Sequence, residues 1–340
     1  GWDKSFEWSG YVPFEEMPYL YNPPEGYIST ANNRTIGNKF PYYISGLWAD
    51  PSRSSRIKEV LDEDKKFSLE DMKALQLDLT SNFSKEILPY ILKNAGTFKN
   101  PIYKRAIKFL KDWNNVESID SEGTLIFHSI SNQIIRNVYY DELSVLGDKY
   151  FETFIGLKYI TKRNLRNILR NNTNKWVDDI RTPNKIETID EIITKSIESG
   201  IQKVIDNYGP NWSNWKWGSA HSLTHKHILG DVKILDYLFN LNIGPYLSGG
   251  SDVTPNAGGY SLHKGFNQTS GASMRRIVDF SDLNRTSMIL PTGQSGLYNS
   301  PHYSDQAPLY HEGKYRVTYF DKDHIVSSPD FKHLRLTPKQ

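Results

Sequence analysis

Three groups of residues have types and spacings that could do chemistry. The first is the histidine run His221, His225 and His227 within Trp215-Lys216-Trp217-Gly218-Ser219-Ala220-His221-Ser222-Leu223-Thr224-His225-Lys226-His227. Neutral imidazoles are good zinc ligands, and an i, i+4 pair on one helix face can chelate a single ion. Gly218 and the Ser/Thr content disfavour a helix here, and no Glu stands between the histidines to act as a base. The run therefore reads as structural histidines, with a zinc-dependent hydrolase as the competing reading. The second group is Gly293-Gln294-Ser295-Gly296 with His302 and Asp305, the residue types of a Ser-His-Asp triad. Its Ser lacks the G-x-S-x-G elbow, and the three residues fall close together in the chain rather than at separate strand ends. It reads instead as a tight loop whose glycines take positive φ. The third is the pair Asn32-Asn33, with Arg53 five residues after Trp48. Asn tolerates left-handed backbone, so an Asn pair first signals a turn.

Composition narrows the function classes. The 340 residues carry 41 Lys+Arg against 39 Asp+Glu, a formal charge of +2, which gives no field for nucleic acid or an anionic membrane surface. No apolar run approaches the ~18 residues that a membrane-spanning helix requires. Cys is absent, which excludes disulfides and thiolate-bound metals. No P-loop, strand-linked G-x-G-x-x-G or EF-hand loop is present. The chain opens at Gly1 with neither an initiator Met nor a leader-like apolar stretch, and so reads as an internal piece of a longer protein.

The elements that must position these residues divide the chain in three. Residues 1–58 are rich in aromatics, Pro, Gly and Asn, and read as strands and long ordered loops. After the turn signal Pro23-Pro24-Glu25-Gly26, Tyr27 to Thr30 reads as a short strand ending at the Asn pair. Residues 59–208 read as an inserted helical domain. Asp62-Glu63-Asp64-Lys65-Lys66 is a solvated turn, and Ser68 with Asp71 forms a capping box. Leu69, Met72, Leu75, Leu79, Phe83 and Ile87 then continue one amphipathic helix, which Pro89 should kink or end. Asn100-Pro101 opens a second helix. Thr188 with Glu191 caps a third, which stops at Gly209-Pro210. Residues 209–340 return to strands, predicted at Met274–Phe280, Ser287–Leu290 and Tyr315–Phe320, joined by Gly-rich loops. Most of the aromatics should be core.

An ordered series of short segments resembles the β chain of penicillin acylases. It begins with Trp8-Ser9-Gly10-Tyr11-Val12-Pro13 and Gly26-Tyr27-Ile28-Ser29-Thr30-Ala31-Asn32-Asn33. Trp48 with Arg53 and Ser68-Leu69-Glu70-Asp71-Met72 follow. Near the other end come Trp215-Lys216-Trp217-Gly218, Gly249-Gly250, Pro255-Asn256-Ala257, Arg275 to Asp279, Pro291 to Gly296 and His302 to Gln306. The resemblance implies an α/β fold, part of the αββα sandwich of N-terminal-nucleophile hydrolases with an all-helical insertion. It implies cleavage of a linear amide, the acyl side chain of a β-lactam or a similar N-acyl compound, with acyl-homoserine lactones as the alternative substrate. By that resemblance Asn32 is an oxyanion-hole donor and Arg53 orients the region of the nucleophile. The nucleophile, an N-terminal Ser, would lie upstream of Gly1 and is absent here, as are the α chain and the N-terminal part of the β chain, the expected partners. This chain alone is then expected to be inactive. No cofactor is expected. Some relatives bind calcium partly through a carboxylate in the loop after the Asn pair, and Arg34 to Trp48 contains neither Asp nor Glu. A non-catalytic glycan-binding or scaffold module is the reading from another class, since exposed Trp and Tyr can stack on sugars.

Overall fold

Local signals account for most of the helix starts in a computed structural model of the chain, which describes all residues except 1, 97, 172–174, 330, 333, 339 and 340. The expected start at Gly1 thus lies outside the described residues. Helix α1 runs Ser52–Leu61, and the charged run 62–66 forms the turn to α2, Leu69–Gln76. Ser68 and Asp71 close the capping box reciprocally. The single helix expected from Leu69 to Ile87 is broken: α2 ends at Gln76, and α3 begins afresh as Asn82–Lys93 behind the Ser81 cap. At the break Asp78 Oδ1 accepts from Thr80 N, and Thr80 bridges to Val116, so long-range pairing takes over from the local period. Pro89 does not end α3, which continues four residues further.

Helices α4 (Pro101–Asp112), α5 (Glu122–Val145), α6 (Asp148–Gly156), α7 (Lys158–Arg170) and α8 (Ile189–Tyr208) follow. Asn100 caps α4 with Pro101 at its first position, and Thr188–Glu191 boxes α8, which Gly209 ends at φ 79°. Helix α5 is buried nearly all round, so it forms the axis of the bundle. Helix α8 lies against it at Gly200, where a Cβ would come within 2.8 Å of Ile130 backbone and side-chain atoms. Ser129 Oγ donates to the Gly200 carbonyl at 2.8 Å across the same contact. No helix is long and apolar enough to cross a membrane, a statement that covers the described residues.

Beyond α8 the chain forms α9 (Trp217–Ala220), β1 (Ser222–His225), α10 (Lys233–Phe239), β2 (Ile243–Leu247), β3 (Gly258–Ser261) and β4 (Gly265–Gly271). These strands make one sheet in the order β2-β1-β4-β3, antiparallel except for the parallel β1–β4 neighbours. Strands β5 (Arg275–Ile277), β6 (Thr286–Ile289) and β7 (Arg316–Thr318) form an antiparallel sheet at the three sites where strands are predicted; β5 and β7 are shorter than expected, and β6 is of the expected length but starts one residue earlier. Two short helices, α11 (Ala307–His311) and α12 (Lys322–Ser327), flank β7.

One hydrophobic core joins the helices to the later strands and loops. Phe83, Ile87, Leu125, Phe127, Ile130, Leu165, Ile193 and Ile197 share it with Trp215, Trp217, Val253 and Tyr260. The first 50 residues depart from expectation. Among the described residues Tyr27–Thr30 forms no strand and has no ladder partner, and the only helical turns of the segment are two single 3₁₀ turns. Its aromatics are not core: Trp2, Trp8, Tyr11, Phe14 and Tyr21 all lie open to solvent. Before Ser52 the described residues form neither sheet nor α-helix, so within the segment no second element covers them.

Candidate active site

After Tyr27–Thr30 the chain bends, and Asn32 takes φ 62°. That left-handed conformation suits Asn, whose short polar side chain tolerates it. The two carboxamides then part company. Asn33 folds back, accepting from Ala31 N at 3.0 Å and donating to the Arg34 carbonyl at 3.1 Å. Asn32 points outward and is exposed. Its carbonyl accepts from Ala49 N at 2.8 Å, which sews the turn to the segment leading into α1.

Arg53, in the first turn of α1, completes the arrangement. Its Nη2 donates to Asn32 Oδ1 at 2.9 Å and to the Ala31 carbonyl at 2.7 Å. A guanidinium has donors only, so it can take only the oxygen of the Asn32 amide. The NH₂ end is thereby turned away from Arg53, and it makes no hydrogen bond among the described residues. The two residues singled out from sequence are thus in direct contact, and the amide orientation is fixed by chemistry rather than by assignment.

The start of α1 is itself held. Buried Asp50 accepts from Ser52 N at 2.9 Å and from Ser52 Oγ at 2.5 Å. Arg166 of α7, also buried, donates to Ser52 Oγ at 2.6 Å and lies 3.3 Å from Asp50 Oδ1 and 3.1 Å from Glu86 Oε2. Sequence reasoning missed this cluster. Its one local signal is the four-residue stride of Lys158, Lys162, Arg166 and Arg170 along α7. Lys162 pairs with buried Asp252, and Arg170 with Glu86 at 2.6 Å. Burial would push the Asp252 carboxyl up, but Lys162, with Lys158 and His128, overcomes it and holds the group below its ordinary range.

The other sequence candidates are dispersed. His221 is buried, stacks on Trp217 at 4.6 Å between centroids, and donates from Nδ1 to the Phe266 carbonyl at 2.5 Å; burial pushes it down to about 4. His225 meets His311 instead, Nε2 to Nε2 at 3.2 Å, and His227 caps the turn at Leu229 N. Each of the three has a structural partner of its own. Ser295 does not join a triad. His302 does approach Asp305 at 3.1 Å, but Ser295 Oγ accepts from Leu297 N. Gly293 and Gly296 do not take positive φ. Gly293 is required by close approach instead, since a Cβ there would overlap the His302 carbonyl.

A second buried polar group was also unforeseen. His128 of α5 stacks on Trp217, lies 3.2 Å from Glu117 Oε1, and has Tyr260 Oη 3.0 Å from its Nδ1. Burial works to raise the Glu117 carboxyl, and His128, Ser251 and Lys162 together hold it low. Among the described residues no three His, Asp or Glu side chains converge to hold a metal ion. The loop after the Asn pair holds no carboxylate, and its Asn38 Oδ1 and Gly37 carbonyl accept from the Arg34 guanidinium at 2.8 and 3.3 Å. A cavity of about 330 Å³ beside the turn is lined by Arg34, Phe40, Tyr42, Trp48 and Arg163.

The penicillin amidase profile matches residues 1–327. The chain belongs to the penicillin amidase family. It is 25% identical, over 99% of its length and 42% of the relative's, to the acyl-homoserine lactone acylase QuiP of Pseudomonas aeruginosa. It is 24% identical to the penicillin acylase 2 proenzyme of Pseudomonas sp. strain SE83, over 90% of this chain and 38% of that one. In structure it resembles a thermostable penicillin G acylase from Alcaligenes faecalis, with a TM-score of 0.59 at 15% identity. That match covers 98% of this chain and 61% of the other. The fold is accordingly the mixed α/β fold of N-terminal-nucleophile hydrolases. The chain spans about two fifths of the length of these curated relatives.

Proposed function

We propose that this chain is the C-terminal part of the β chain of an amidohydrolase that cleaves a linear amide through an N-terminal Ser supplied by a preceding segment. In this reading the Ser hydroxyl attacks the amide carbonyl while its own α-amino group takes the proton. An α-amino group titrates near ~7.7–8.0, so an unprotonated fraction exists at neutral pH without a His partner. The carbonyl oxygen becomes an oxyanion, which the Asn32 NH₂ stabilises. The C–N bond then breaks, the amine leaves with the proton, and water hydrolyses the acyl-Ser ester. Arg53 is a positioning residue that keeps the amide oxygen of Asn32 turned away from the oxyanion. The observation that carries this reading is the exposed Asn32 carboxamide with its oxygen engaged by Arg53.

The preceding β-chain segment and an α chain are the partners this reading requires. The unpacked aromatics of residues 2–47 support it, because a surface of that kind marks a contact with another polypeptide. Between the two substrate classes, relatives named acyl-homoserine lactone acylases at 24–26% identity favour an N-acyl homoserine lactone over the acyl side chain of a β-lactam.

The test uses the complete processed enzyme. It should hydrolyse a long-chain N-acyl-homoserine lactone or a chromogenic phenylacetyl amide, and the isolated chain should hydrolyse neither. Turnover by the isolated chain would overturn the reading. So would an Asn32→Gly enzyme with undiminished kcat.

A further inference from the structure

We infer that Arg166, far along the chain in the helical bundle, is a positioning residue for acyl transfer, acting on Asn32 through the start of α1. The inference rests on the reading of Asn32 as oxyanion donor. Three links make the chain of contacts. Arg166 Nη2 donates to Ser52 Oγ at 2.6 Å and pairs with Asp50 at 3.3 Å. Asp50 in turn accepts from the Ser52 backbone and hydroxyl, fixing the first turn of α1. Ser52 is followed directly by Arg53, and Asp50 is preceded directly by Ala49. These two residues hold Asn32, one at its amide oxygen and the other at its main-chain carbonyl.

Elsewhere α1 is tied down by Asn82, whose Nδ2 donates to Ser55 Oγ at 3.2 Å, and by Arg56, which pairs with Asp78 at 2.7 Å, but neither bond reaches Asp50 or Ser52. The residue preceding α1 is Pro51, which has no side-chain cap to offer. Asp50 and Ser52 are at 3% and 1% exposure, so the charge of Asp50 needs a buried cation, and Arg166, at 8%, supplies it. Arg166 is locked from its other side by Glu86 and lies over the Phe83 ring, so it is a fixed rather than a mobile counter-ion. The turn that carries Asn32 has no sheet neighbours to hold it among the described residues. Its placement therefore depends on the 49–53 segment, whose buried carboxylate and Ser52 hydroxyl are held by Arg166.

Catalysis by a preorganised donor is sensitive to displacement, and an error of about 1 Å can cost ~10²-fold. In the complete processed enzyme, Arg166→Met should lower kcat by ~10- to 100-fold with KM changed by less than about threefold. Arg166→Lys, which keeps a cation beside Asp50, should recover part of the loss. The decisive readout is a double-mutant cycle with Asn32→Gly. Once the donor is gone, Arg166→Met should change kcat no further. Fully additive losses would overturn the inference, as would a lowered melting temperature with normal kcat per active site. If Arg166→Met does not fold, Ser52→Ala takes its place in the same cycle with the same criterion. An Asn32→Gly enzyme of normal kcat would sink the oxyanion reading itself. A deficient Asn32→Gly beside a normal Arg166→Met would sink only the positioning role.

Discussion

At the scale of single residues, Asn32 does two jobs that substitution can separate. Its backbone sits at φ 62°, and its side chain presents an amide whose oxygen is engaged. Glycine accepts that backbone freely, so Asn32→Gly should leave the melting temperature near that of the parent while kcat falls by ~10²–10³. Alanine resists it, so Asn32→Ala should show the same kinetic loss and also lose ~1–2 kcal/mol of stability. Equal stabilities for the two variants would mean that the turn is not held in the left-handed form. The pair Asn32–Arg53 was legible in sequence only as a resemblance. Twenty-one residues apart, neither residue type announces the other. Asp50, Ser52 and Arg166 were not legible at all, because a carboxylate and a guanidinium 116 positions apart become partners only when α7 is laid against α1.

At the scale of elements, the local code is strong and the long-range code overrules it. The Ser68–Asp71 and Thr188–Glu191 boxes, the Asn100–Pro101 start and the Gly209 stop are all where short-range chemistry puts them. The break between α2 and α3 is not, because Thr80 pairs with Val116, which no 3.6-residue period encodes. The α5–α8 contact shows the same dependence. Gly200→Val should drive the two helices apart at Ile130 and cost ~1–3 kcal/mol, read as a lower urea midpoint. Titration of the helices gives a further test. His221, held near 4 by burial, binds a proton on unfolding between about pH 4 and 6.5, so its contribution to stability fades as pH falls through that window. Glu142 of α5, pushed up to about 7 by burial and by Asp141, acts in the opposite sense. It is protonated in the fold where the unfolded chain is not, so its contribution is present at low pH and is lost as pH rises towards 7. Glu142→Gln should therefore steepen the decline in stability between pH 6.5 and 4.5, measured by urea unfolding at intervals across it. An unchanged slope would remove Glu142 from the balance.

At the scale of the whole molecule, the contrast lies between a finished bundle and an unfinished margin. The core runs without interruption from Phe83 to Tyr260, yet Trp2, Phe6, Trp8 and Tyr11 each stand more than four-fifths exposed. Sequence reasoning assigned those aromatics to a core because composition reports how much apolar surface a chain has, not whether its cover lies in the same chain. Limited proteolysis should cut the isolated chain within residues 2–47 and leave a product beginning near α1. The same segment should resist cleavage in the complete processed enzyme. Equal resistance in both would show that the margin needs no partner.

The Lys162–Asp252 pair and the His128–Tyr260 contact set a limit on how this chain can be recombined. Each joins a group from the helices to one from the later strands and loops, out of reach of water. Exchanging the helices for those of a cousin would maroon an anion and a phenol where no solvent can come to their aid. In this chain the bundle and the loops around Asp252 and Tyr260 form one unit, so a chimera should fold only where its junctions sever no such bond.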